Sequence, residues 1–134
     1  MIKVYTFGYG FQELSALCPA LERENAVVMD VRLNAWSQRP EWRDGNLRAI
    51  LRSRYVHCPD WGNTNHKDRE LGVNIRNYGR GLEMFKAIEA SGFFGAVVLM
   101  CGCVKEYGCH RKGLGDALRG LGYEVQELEL GVKA

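Results

Sequence analysis

The chain predicts an α/β fold: a single three-layer domain with a mainly parallel five-stranded sheet and helices on both faces. Three observations carry this expectation. The apolar runs Ala26 to Val31 and Ala96 to Cys101 are continuous, the pattern of strands buried on both faces. Strand-like and helix-like segments alternate five times along the chain, as in repeated βα units. The length, 134 residues, suits one domain with one core, taken here as residues 1–134.

The elements follow in order. Ile2 to Thr6 alternates as a first strand, and Gly8 and Gly10 open a turn. Phe11, Leu14, Leu17, Cys18 and Leu21 form an apolar helical stripe. Ala26 to Val31 is the second strand, ending in Asp30-Val31-Arg32, and residues 33 to 45 are irregular, with Pro40 and Gly45. Asn46 is placed to cap a helix carrying Leu47, Ile50 and Leu51. Arg54 to Cys58 is the third strand, closed by Pro59. After a long loop that has room for a minor helix within residues 65 to 77, Gly81 to Ala90 reads as a helix with Leu82, Phe85 and Ile88 inward. Gly92 ends that helix. The Ala96 strand leads through a loop to a helix bearing Leu114, Ala117, Leu118 and Leu121. Tyr123 to Leu130, more polar than the others, is expected as an edge strand.

Composition sets the class. Apolar residues make up 46% and charged residues 25%, as in a soluble globular protein, and the longest apolar run is too short to span a bilayer. Five cysteines without framework spacing, and no secretory signature at Met1-Ile2-Lys3-Val4, point to free thiols in the cytoplasm. Net charge is only +2, yet residues 32 to 80 hold ten basic and five acidic side chains, and arginine outnumbers lysine twelve to six. Arginine's planar fork suits phosphate and carboxylate.

Right-handed crossovers put every strand-to-helix loop at one sheet edge, where ligands bind in open α/β sheets. Cys109-His110-Arg111 lies there, at the start of the last helix, where free N–H groups favour anions. Positive neighbours and the helix dipole favour a thiolate at Cys109. Cys18 and Cys101 read as small core residues. Neither Cys101 nor Cys103 stands at the distance from Arg111 that a cysteine-phosphatase loop requires, and Cys101-Gly102-Cys103 with Cys109-His110 lacks zinc-site spacing. No metal and no cofactor are expected. Tyr55 and His57 share a strand face, so His57 reads either as a general acid or base, or as a hydrogen-bonded histidine at the sheet's end. Asp30 and Arg32 also share a face and either simply pair, or Asp30 at its strand's C-terminal end orients a catalytic group or binds a ribose hydroxyl. Gly8-Tyr9-Gly10 is too short for a dinucleotide fingerprint. Trp36, Trp42 and Trp61 lie among arginines, which suits base stacking, although half-buried packing explains each one singly.

Taken together, Thr6-Phe7-Gly8-Tyr9, Asp30-Val31-Arg32, Ser37-Gln38-Arg39-Pro40, the set Tyr55, His57, Pro59 and Gly62, and Cys101 with Cys109-His110-Arg111 resemble the domain of unknown function 488 family. The chain departs from that pattern at Cys101-Gly102-Cys103, where the family carries an acid, and at Tyr9-Gly10, where it carries His-Ser. The resemblance implies a compact α/β fold with a shared pocket and supplies no activity.

The functional expectation is an enzyme acting on a phosphate-bearing or nucleotide-like ligand. Cys109, His57 and Asp30 are its catalytic candidates. Arg32, Arg39, Tyr55, His110, Arg111, Gly8 and Tyr9 are its ligand-binding candidates, with the Arg111 side chain facing the pocket. The expected partner is an anionic small molecule or a nucleic-acid end, with no membrane involved. The alternatives are a non-catalytic nucleotide or nucleic-acid binding module, and a purely structural Cys-His-Arg triplet.

Overall fold

The computed structural model describes residues 1–65, 67, 69–103 and 110–131. Its strands are β1 (Lys3–Gly8), β2 (Ala26–Asp30), β3 (Tyr55–His57), β4 (Ala96–Cys101) and β5 (Val125–Glu127). Its helices are α1 (Leu14–Glu24), α2 (Asp44–Leu51), α3 (Tyr78–Ser91) and α4 (His110–Gly120). All strand pairings are parallel, in the order β3-β2-β4-β1-β5. The expected three-layer α/β architecture is therefore the observed one.

The two-residue period of a strand divides the core between the two sheet faces. Tyr5, Phe7, Val28, Tyr55, Val98 and Met100 meet Leu14, Leu17 and Leu21 of α1 and Leu47 and Leu51 of α2. On the other face Val4, Val27, Met29, Val97 and Leu99 meet Phe85 of α3 and Leu114 and Leu118 of α4. Connections stepping toward β3 thus run on one face and those stepping toward β5 on the other, as uniform right-handed crossovers demand. Neighbouring β2 and β4 lead into helices on opposite faces, which makes their C-terminal ends the topological switch point of the sheet, the place where open α/β sheets bind ligands.

Local boundaries depart from the sequence expectations for identifiable reasons. α1 begins at Leu14, so Phe11 stays in the preceding turn, 88% exposed, and does not join the apolar stripe. Asn25 closes α1 in the left-handed conformation at φ 49°. α2 begins two residues before Asn46, after the extended backbone of Arg43, and Asn46 instead donates to the Pro40 carbonyl (2.6 Å). Ile50 on α2 faces outward. α3 starts earlier than expected because the Asn77 side chain accepts from the Arg80 N–H (3.1 Å), and Gly92 ends it at φ 72°. β5 is an edge strand, as expected, but only three residues long. Within residues 65 to 77 the described helical structure is a 3₁₀ turn, Arg69–Leu71.

Candidate functional site

The candidate site at this switch point is built outward from Asp30. This side chain ends β2 on the face shared with Tyr55 and His57, because Val28 is in register with Tyr55 and Asp30 with His57. It has no solvent exposure, and its carboxylate is saturated. Arg32 donates to it twice through the guanidinium (Nε 2.8 Å, Nη2 2.6 Å) and once through its backbone N–H (3.1 Å). The Tyr55 hydroxyl donates a fourth bond at 2.5 Å. Burial pushes the Tyr55 phenol well above its usual value, and the adjacent carboxylate pushes it further, so it acts only as a donor. Burial disfavours the Arg32 charge, but the hydrogen bonds and charge of Asp30 more than offset that, and the guanidinium is held firmly protonated.

Arg32 is also held from its face. Its guanidinium lies 5.3 Å from the Tyr9 ring centre, and Nη1 donates to the Tyr9 hydroxyl (3.3 Å). Tyr9 in turn stacks on the buried Trp42 at 4.6 Å, and Arg39 lies over the other ring at 5.9 Å. Arg39 spends its donors on two carbonyls, Gly10 (2.7 Å) and Gln12 (2.6 Å), tying the first turn to the loop after β2. The Tyr9 N–H donates to the Cys101 carbonyl (2.9 Å), which brings the ends of β1 and β4 into the same frame.

The two described imidazoles approach the peptides that follow Asp30 from different elements. His57 Nε2 lies 2.7 Å from the Arg32 carbonyl, and His110 Nε2 lies 2.6 Å from the Val31 carbonyl. A carbonyl only accepts, so each ring carries its proton on Nε2. Burial lowers the His110 pKa, favouring the neutral ring, against a smaller opposing effect of its Val31 hydrogen bond.

Arg111 does something else. Its side chain is 1% exposed and sits beneath the opposite face of the sheet from Asp30, against Cys101 Sγ (3.1 Å), the Cys103 carbonyl (3.1 Å) and Glu127 (3.2 Å). Glu127 also accepts from Thr6 (2.8 Å). The expectation of a pocket-facing Arg111 gives way to an inward one, because β5 supplies the carboxylate that allows its burial. Gly8 makes room for this packing: a Cβ there would lie 1.7 Å from the Cys103 carbonyl oxygen and 2.6 Å from Arg111 Nη1.

The structure therefore joins Asp30, Arg32, Tyr55, Tyr9, His57 and His110 around one turn. Arg39 sits behind them, and Gly8 and Arg111 sit under the other face. Cys109 lies outside the described residues. Sequence reasoning missed Trp42 as the stacking partner of Tyr9, and missed Glu127. The outward alternation of Gln126-Glu127 gave no sign that one acid turns toward a buried arginine. Among the described residues no three His, Cys, Asp or Glu side chains gather as a metal site. A separate cavity of about 320 Å³ beside β5 is lined mainly by acidic and neutral groups, including Glu24, Glu127 and Glu129, the wrong charge for a phosphate.

Comparison with known proteins finds one family model, described as Domain of unknown function DUF488, matching residues 15–118. The match takes in Asp30, Arg32, Arg39, Tyr55, His57 and Cys109-His110-Arg111, and stops short of Tyr9 and Glu127 at either end. No curated protein and no solved structure matches the chain.

Proposed function

The chain belongs to the DUF488 family, and from that premise we propose that it is an enzyme acting on a phosphate-bearing or nucleotide-like ligand at the switch point formed by the C-terminal ends of β2 and β4. The observation that carries the reading is the pair of imidazoles anchored through Nε2 to the consecutive carbonyls of Val31 and Arg32. In a neutral ring, Nε2–H donation leaves Nδ1 as the accepting nitrogen, so the half-buried His57 is prepared to take a proton from a ligand or water and return it. Asp30 is a positioning residue. It fixes Arg32, whose carbonyl fixes the His57 ring. The positive end of the α4 dipole, at His110, favours an anion nearby. Arg111 ties the start of α4 to Cys101 and Cys103 at the end of β4. The four described cysteines are free thiols and no described helix is long and apolar enough to cross a membrane, which supports a protein of the reducing cytoplasm.

A binding module without turnover is the second reading, favoured by the half-exposed Trp36 with the Arg43 guanidinium on its ring. Two measurements separate them. The first follows the histidine ring resonances during titration with inorganic phosphate and nucleoside monophosphates, with assignments from His57→Gln and His110→Gln. Shifts of both assigned rings are expected, and neither ring responding would refute the ligand class. The second scores product release from a panel of mononucleotides and short oligonucleotides. Turnover by wild type that His57→Ala abolishes supports the enzyme, and ring shifts without turnover leave the binding module.

A further inference from the structure

The three tryptophans part company in the fold. Trp42 and Trp61 are wholly buried, whereas Trp36 is 54% exposed, in the loop that follows β2. One face of its ring carries the Arg43 guanidinium at 4.7 Å, and Arg43 Nε is pinned to the Ser37 carbonyl at 2.8 Å. The second exposed ring on this edge is Phe11, 88% exposed in the turn after β1. The carbonyls of Gly10 and Gln12, on either side of Phe11, both accept from Arg39, which belongs to the Trp36 loop. The two loops that carry these rings, which follow β1 and β2, are thus braced to each other through Arg39.

Two aromatic rings left in water on neighbouring loops offer flat apolar faces on which another ring can stack. Charge selects the occupant. From Arg32 to Arg54 the chain carries six arginines against Glu41 and Asp44. The Arg32 charge is cancelled by Asp30, Arg39 is shared with Glu13 and Glu41, and Arg54 is spent on Asn25 and Ala26 at the other end of β2, which leaves Arg43 at the entry of α2 and Arg48, exposed over the Tyr55 ring at 5.3 Å. Aromatic platforms interleaved with arginines match unpaired bases on a phosphate backbone.

We propose that Trp36, backed by Arg43 and joined by Phe11, is a stacking platform for the unpaired bases of a single-stranded nucleic-acid end, whose phosphates run along Arg43 and Arg48. This deepens the proposed function, on which it rests: it names a nucleic-acid strand as the source of the phosphate-bearing ligand.

Trp36 supplies the readout, since the two buried indoles are shielded from a bound base. The test titrates a thymidine oligonucleotide of about eight nucleotides, an abasic oligonucleotide of the same length and the matching duplex, following tryptophan emission and anisotropy. The expected result is quenching by the thymidine strand alone, with the abasic strand binding at least about tenfold more weakly, as one lost stack requires. Trp36→Ala should abolish the quenching and weaken binding to a similar extent, with Trp36→Phe retaining most of the affinity and Phe11→Ala losing part of it. Both positions are exposed, so unchanged thermal melts are expected and serve as the folding control. Equal binding of thymidine and abasic strands, wild-type affinity in Trp36→Ala, or no binding at all would overturn the platform. The His57 ring keeps the two proposals apart. Phosphate shifting His57 while oligonucleotide binding ignores Trp36 sinks the platform alone. Trp36-dependent binding with a silent His57 ring sinks the catalytic reading alone.

Discussion

Replacing Asp30 by alanine is expected to be among the most damaging single changes available in this protein. The carboxylate has no solvent exposure and takes four hydrogen bonds, three of them from Arg32, whose own exposure is 6%. Removing it strands a buried guanidinium, which costs about 3–5 kcal/mol. The Tyr55 hydroxyl loses its acceptor as well, at about 1–3 kcal/mol if nothing replaces it. The two losses overlap, because a water admitted to the gap can serve both groups, so a net loss of about 4–5 kcal/mol is expected. Against a typical stability of about 5–15 kcal/mol, that removes about a quarter of the total or more. Arg32→Met should cost a comparable amount by stranding the carboxylate. The double variant Asp30→Ala/Arg32→Met should cost less than the sum of the singles by about 3 kcal/mol, since with both gone no charge is left unpaired. Urea unfolding of all four proteins, with the slope held common, gives the cycle. Single variants each costing under about 1 kcal/mol, or costs that simply add, would refute the view of this pair as a buried, mutually dependent unit.

Three further outcomes are expected. Gly81→Ala should destabilise by about 1–3 kcal/mol or more, since its Cβ would lie 2.0 Å from the ring of the buried Trp61; thermal or urea melts check this. His110 should titrate below its ordinary value of 6.5, because burial favours the neutral ring. The unfolded chain then binds the proton more readily than the fold, so this contribution to stability is complete above about pH 6.5 and is lost as pH falls below it. His110→Gln, which keeps a donor toward Val31, should flatten the melting temperature over that window. Arg52→Gly should raise stability by about 1 kcal/mol, because Arg52 holds φ 52° and ψ −119°, a conformation costly for any side chain; a raised urea midpoint is the sign.

The layer order and the clustering at one strand edge are legible from Ala26 to Val31 and Ala96 to Cys101, because doubly buried parallel strands leave an unbroken apolar signature. The pairing of Asp30 with Arg32 is legible too, from two charges at strand-face spacing. Arg111 shows where this kind of reading ends. Whether a guanidinium points into a pocket or under the sheet depends on whether a carboxylate comes within reach of it there. Here that carboxylate is Glu127, on a three-residue edge strand whose sequence reads as surface. Phe11 failed for a related reason. Its spacing fits the α1 stripe, but a stripe continues only where the backbone does, and α1 starts three residues later.

The strand order has a consequence for how the molecule comes to exist. β4 is the hub of the sheet, and its partners were made long before it: Lys3 pairs with Ala96, and Ala26 also pairs with Ala96. A chain emerging from the ribosome therefore has, of the five described strands of this sheet, only the short β2–β3 pair to form until residue 96 is exposed. For that interval β1, with Val4, Tyr5 and Phe7, is an apolar strand without a neighbour. Closing its pairing then means closing a loop of more than ninety residues, a non-local step that slows folding and leaves a sticky edge on view. Synthesis paused before β4 should thus yield a nascent chain that relies on chaperones, and one released after it should collapse around β4 in a single late event.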